Sequence, residues 1–138
     1  MRITNIHGKV WLALKARLDE WDETTIHYPF GQFAPEADQA FLVIDPVDLD
    51  VDIASLDYDC GEERRGFLNV RVMTPMAWDY AATTGLMGRF ADMFPAGWQG
   101  QYEDATVQVW REAQATGIAS TEFSWHRRDV RIYWRCWG

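Results

Sequence analysis

Three features of the sequence predict an α+β fold: a mixed, mostly antiparallel β-sheet with two main α-helices packed on it. Apolar residues recur every third or fourth position in two separated segments, one N-terminal and one after residue 75. Between and after these segments lie short runs in which apolar and polar side chains alternate, the period of a half-buried strand. The resulting order of helix, strands, helix, strands suits helices gathered on one sheet. At 138 residues the chain reads as one domain, residues 1–138, long enough to bury a core.

The first helix is carried by Ile6, Val10, Leu14, Leu18 and Trp21, with Asn5 or Thr4 as its cap. Gly8 weakens its first turn, and Asp19, Glu20, Asp22 and Glu23 crowd an end where the helix dipole favours cations. Residues 24–39 hold two prolines, a glycine and three aromatics, and read as a short strand followed by a loop. Residues 40–45, AFLVID, form an apolar strand closed by Asp45-Pro46. Val47, Leu49, Val51 and Ile53 then alternate with Asp48, Asp50 and Asp52, predicting a strand with one acidic face. A hairpin loop, DYDCGEERR, leads to a strand over residues 64–73, with Leu68, Val70 and Val72 on one face and Phe67, Asn69, Arg71 and Met73 on the other.

Thr74-Pro75 predicts the start of the second helix, threonine at the N-cap and proline at the first helical position. The helix runs to about Phe94, stops at Pro95, and carries Ala82, Leu86, Phe90 and Met93 or Phe94 on its apolar stripe. Gly85 and Gly88 cost roughly 1 kcal/mol each against alanine, which predicts close packing on the sheet as compensation. Residues 104–112 and 128–137 read as the last strands, and 113–127 as either a long loop or a strand extension.

The net charge of −8 is unevenly spread: residues 1–63 carry four basic and fourteen acidic side chains, residues 64–138 nine and seven. An acidic chain gains nothing from counterion release on a phosphate backbone, which disfavours nucleic-acid binding as its task but suits a surface that DNA must pass without adhering. No window approaches the 18–20 apolar residues of a membrane span, and Lys9, Lys15 and Arg17 interrupt any signal-peptide core, so a cytoplasmic product without membrane contact is expected. Two cysteines, Cys60 and Cys136, are too few for a disulfide framework or a zinc site and are read as reduced thiols.

The Asp48-x-Asp50-x-Asp52 run resembles the opening of a calcium loop. Such a loop needs glycine at its sixth position and a bidentate glutamate at its twelfth; Ile53 and Asp59 stand there. Nor do neighbours on one exposed strand face have the different environments that an acid–base pair requires. The histidines, His7, His27 and His126, show no metal spacing, no serine lies in a nucleophile elbow, and no glycine-rich phosphate loop is present. EERRG at 62–66 reads as a charged turn. Neither enzyme activity nor a cofactor is expected. The tryptophans, five of them after residue 97, suit core and subunit interface better than a sugar-stacking platform. On the last strand Arg127, Arg131 and Arg135 project to one side with Asp129, Tyr133 and Trp137, while Val130, Ile132 and Trp134 project to the other. One acidic and one basic strand face can pair within a chain, or between copies in a head-to-tail contact that closes into a ring.

From residue 64 onward the order of features resembles the tail terminator (tail completion) proteins of long-tailed bacteriophages. RRGFLNVRVMTP followed by MAWDYAATTGLMGRFADMFPAGW is similar to that family's strand–helix core, in the positions of Gly66, Pro75, Leu86, Phe90, Phe94 and Gly97. IHGKVWLALKARL, AFLVID and DVRIYWRCW fall in compatible places. One departure is Met76-Ala77-Trp78-Asp79, where many relatives begin the helix with glycine. The resemblance implies a virion protein of the head-proximal tail, assembled in the host cytoplasm. It implies a ring, usually a hexamer, that caps the tail tube, halts its polymerisation and meets head–tail connector proteins, with DNA passing through the lumen unbound. It implies no active site. Asp48, Asp50, Asp52, Arg127, Arg131, Arg135 and Trp137 are the interface or lumen candidates, and Asp57 and Asp59 could extend the acidic set. A head–tail connector of the neck and a small acidic, tryptophan-rich binding module are the alternatives.

Overall fold

The computed structural model describes residues 5–45, 52–57, 61–122 and 125–137. Their elements follow the order α1 (Ile6–Leu18), β1 (Thr25–His27), β2 (Phe41–Ile44), β3 (Asp52–Asp57), β4 (Gly61–Pro75), α2 (Tyr80–Ala91), β5 (Gln99–Tyr102), β6 (Ala105–Val109), β7 (Gln114–Glu122) and β8 (Trp125–Trp137). The fold is α+β, with a mixed, mostly antiparallel sheet.

The spine of the sheet is the antiparallel pair β4–β8, in register from Arg64 opposite Cys136 to Pro75 opposite Trp125. Each strand is long enough to hold two short neighbours on its outer edge. On β4 these are β2, at residues 70–73, and β3, at residues 61–65; on β8 they are β7, at residues 125–131, and β6, at residues 134–137. One end of the sheet therefore runs β1-β2-β4-β8-β7 and the other β3-β4-β8-β6-β5, with β1 parallel to β2 and the remaining pairs antiparallel.

Period-two alternation decides which side chains enter the core. Leu68, Val70 and Val72 of β4 and Val130, Ile132, Trp134 and Cys136 of β8 are buried on one face, with Leu42, Ile44, Ala105, Val107 and Val109 beside them. Both helices pack there, α1 on β5 and β6 and α2 on β4 and β8. The α1 stripe is the predicted one, with Ile6, Val10, Leu14 and Leu18 buried. Burial of Cys136 pushes its thiol up to about 11, so it stays protonated near neutrality. Cys60 lies outside the described residues.

Several boundaries differ from expectation. Asn5 occupies the N-cap in the left-handed region at φ 53°, without a side-chain capping bond; Thr4 lies outside the described residues. The acidic end of α1 is neutralised locally: Lys15 pairs with Asp19 at 3.0 Å, Arg17 with Glu20, and the Tyr28 hydroxyl donates to Asp19 at 2.6 Å. Of the strand expected over 47–53, residues 47–51 lie outside the described set, and Asp52 and Ile53 belong to β3. EERRG is strand, not turn, because β4 starts at Gly61. Likewise β4 continues through Pro75, paired with Trp125, so Thr74 caps nothing; its buried hydroxyl meets that of Thr83 at 2.7 Å. The true cap of α2 is Asp79, whose Oδ1 accepts from the Ala82 N–H at 2.8 Å. Thr83, rather than the exposed Ala82, enters the core with Leu86, Phe90 and Phe94. The glycines are not sites of close approach: a Cβ at Gly88 would meet nothing within 4 Å, and one at Gly85 only an Arg89 nitrogen at 3.4 Å. Within 113–127, Gln114–Glu122 form β7 and Trp125 opens β8, and β5 is an additional strand before β6.

Candidate interaction surface

The face of the sheet away from the helices is built by the same alternation. Across β4 and β8 it presents Arg65 opposite Arg135, Phe67 opposite Tyr133, Asn69 opposite Arg131, Arg71 opposite Asp129, and Met73 opposite Arg127. Val43 and Phe41 continue it onto β2, opposite Arg71 and Met73, and Gln108 continues it onto β6, opposite Arg135. Arginines placed this densely must find carboxylates or rings if their half-buried guanidinium groups are not to be left without partners.

They find both. Arg127 holds Asp129 in a two-point pair, Nε to Oδ1 at 2.8 Å and Nη2 to Oδ2 at 2.9 Å. Asp45 accepts from Arg71 Nε at 2.6 Å and from Asn69 Nδ2 at 2.5 Å. Glu63 meets Arg135 Nη1 at 3.2 Å and Arg65 Nη2 at 3.4 Å, and Arg135 Nε also donates to Gln108 at 2.7 Å. Burial alone would raise the Asp129 carboxyl, but the bonds and charge of Arg127, helped by Asn69 and Arg71, hold it below its ordinary value.

Guanidinium groups also lie near rings, those of Arg65 and Arg135 among them. Arg131 sits 4.3 Å from the Phe67 centroid, Arg65 5.0 Å from Trp110, Arg111 4.4 Å from Tyr133, and Arg135 5.6 Å from Trp137. Arg65 and Arg131 each bury an Nε, and Trp110 its Nε1, without a hydrogen-bond partner among the described residues. A small apolar cluster of Phe41, Val43 and Met73, with Phe33 and Trp125 packed against it, closes the end near β1.

Arg127, Arg131, Arg135 and Trp137 thus share one face, as predicted. Asp48 and Asp50 lie outside the described residues. Asp52 opens β3 directly opposite Arg65, which is itself opposite Arg135. Sequence reasoning missed Arg65, Trp110 and Arg111 as parts of this surface. Arg65 was legible: stepping back by two from Phe67 reaches Arg65 and then Glu63. Arg111 and Trp110 lie past the end of β6, where period two no longer applies.

Among the described residues no helix is long and apolar enough to cross a membrane, and no cluster of three His, Cys, Asp or Glu side chains has metal-holding geometry. Arginine and aromatic side chains, which crowd this face, are the residue types that dominate the energetics of protein interfaces.

The fold is similar to that of a chain in the virion of a native gene transfer agent particle, with TM-score 0.71, 18% identity, and 99% of this chain and 100% of that one covered. A second solved structure matches at TM-score 0.69 and 17% identity over 94% of each chain. Curated proteins yield no significant match. The family model of the phage tail terminator protein matches residues 9–134, and the chain belongs to that family.

Proposed function

We propose that the protein ends a phage-type tail. It forms a ring, hexameric as the family resemblance implies, on the last ring of tail-tube subunits, stops their polymerisation and offers the surface that joins the DNA-filled head. The observation that carries this reading is the family match over residues 9–134; the fold shared with a gene transfer agent virion chain supports a place in the particle. The role is structural, and its chemistry lies in interfaces. The arginine–aromatic sheet face, with Arg127, Arg131, Arg135 and Trp137, is an assembly interface: the Phe67 ring positions Arg131, and the ion pairs of Arg127 with Asp129 and of Arg135 with Glu63 keep the face rigid for a partner. The acidic segment with Asp48, Asp50 and Asp52 lines the path of the DNA and keeps phosphate from adhering.

The test is tube assembly. Tail-tube protein polymerised with this chain should give short tubes with extra density at one end in negative-stain images. Tubes of unrestricted length with bare ends sink the proposal. Binding to neck components with no effect on tubes would reassign the chain to a head–tail connector.

A further inference from the structure

Phe30 is fully exposed, at 102% of its reference area, in a backbone conformation that bulky residues avoid, φ 63°. It sits at the third position of a turn closed by the Gly31 N–H donating to the Tyr28 carbonyl at 3.1 Å, where glycine is normally found. The turn is braced: Pro29 precedes Phe30, His27 Nε2 meets the Gly31 carbonyl at 3.2 Å, and the His27 ring stacks on Phe33 at 5.0 Å. A ring pushed into water by a rigid, strained turn gains nothing for the monomer.

The opposite edge of the same sheet end carries a matching hollow. A cavity of about 260 Å³ opens between α2, β7 and β8, lined by Tyr80, Thr83, Ser120, Thr121, His126 and Arg128, with Arg127 beside them. A cavity of roughly 150 Å³ already accepts a benzene ring. Tyr80 and the nearby Met76 are themselves exposed. The Arg128 guanidinium lies 5.7 Å from the Tyr80 ring, and its Nε is buried without a hydrogen-bond partner among the described residues. A phenyl ring entering the cavity would offer that group a π face.

Knob and hollow lie beside the two outermost strands of the sequence β1-β2-β4-β8-β7, and those strands are four spacings or roughly 19 Å apart at about 4.8 Å each. We propose that Phe30 of one copy inserts into the Tyr80–Thr121–His126–Arg128 hollow of the next, as the lateral contact that joins copies of this chain head to tail. Knob and hollow on different edges make the contact heterologous, and such contacts generate rings when the rotation closes. The inference rests on the ring reading above and supplies its repeating contact.

Two variants of the full chain test it, each read by native mass spectrometry and light scattering, with and without tail tubes. Phe30→Gly suits the turn and removes the knob; Thr121→Trp, at an exposed position, blocks the hollow. Each is expected to raise the concentration needed for assembly by roughly tenfold or more, the scale of a lost hot-spot aromatic. Mixed together, they retain one good knob and one good hollow and should form a 1:1 pair that goes no further. Under mild oxidation, Phe30→Cys chains mixed with Thr121→Cys chains should crosslink one to one, also where the free protein is monomeric until it meets the tube. No crosslink in the mixture, a crosslink in Phe30→Cys chains alone, or unchanged assembly of Phe30→Gly overturns the contact. If wild type and Phe30→Gly cap tubes equally, this contact is wrong and the terminator reading stands. If wild type caps no tubes, that reading falls, and a one-to-one crosslink still upholds the contact.

Discussion

A phenylalanine held at φ 63° pays for its conformation on every folding event, by about 1–2 kcal/mol relative to right-handed backbone. Glycine adopts that conformation freely but loses about 0.5–1 kcal/mol of entropy on folding. Phe30→Gly is therefore expected to raise monomer stability by about 0.5–1 kcal/mol in urea denaturation while weakening assembly. A loss of stability would mean that the ring packs on its own chain after all. Asp129 makes the opposite trade. Its carboxyl is held below the ordinary value, so the stability it contributes is present above the unfolded carboxylate range, near pH 4, and is lost as pH falls through the lower folded value. Asp129→Asn should cost about 1–2 kcal/mol at pH 7. The gap from wild type should shrink in denaturation curves recorded below pH 3, whereas a gap constant with pH would remove the ion pair with Arg127 as its cause.

At the scale of elements, α2 gives a clean prediction because its glycines have no structural work. Gly88 is interior to the helix, and a Cβ there meets nothing within 4 Å, so Gly88→Ala should add about 1 kcal/mol. A fall in melting temperature would show that the position needs its bare backbone. Gly100 is the contrasting case, since a Cβ there would lie 2.6 Å from the Trp98 ring. This helix also shows what the sequence makes legible. Leu86, Phe90 and Phe94 follow from spacing alone. The start does not, because Thr74-Pro75 fits a helix cap and a strand end equally well, and only the pairing of Pro75 with Trp125 decides between them. Asp79, the actual cap, stands six residues after Met73 with no apolar rhythm to mark it. The faces of β8 are legible where period two holds, from Val130 to Trp137; Trp125–Asp129 show no such alternation of burial, and the sequence reads residues 113–127 equally as loop or strand. The hollow beside Tyr80 was not, since it joins residues of α2, β7 and β8 that share no local pattern.

For the whole molecule, the division of charge should govern how copies and partners meet. The first 63 residues hold fourteen acidic and four basic side chains, whereas the arginines of the open sheet face all follow residue 63. A chain whose acidic and basic side chains are concentrated in different segments can attract another copy, or a partner of either sign, before contact is made. That attraction acts over about 8–10 Å at physiological ionic strength and only about 3 Å at 1 M. The apolar and cation–π contacts proposed for the docked state are short-ranged and partly desolvated. Association of this protein with itself or with tail tubes should therefore slow by roughly tenfold or more between 50 mM and 500 mM salt, while dissociation changes little. Stopped-flow or biolayer measurements separate the two rates. A salt effect confined to dissociation would place the charges inside the docked interface, and an association rate indifferent to salt would mean that the arginines of β4 and β8 are already neutralised within the chain by Asp45, Glu63 and Asp129.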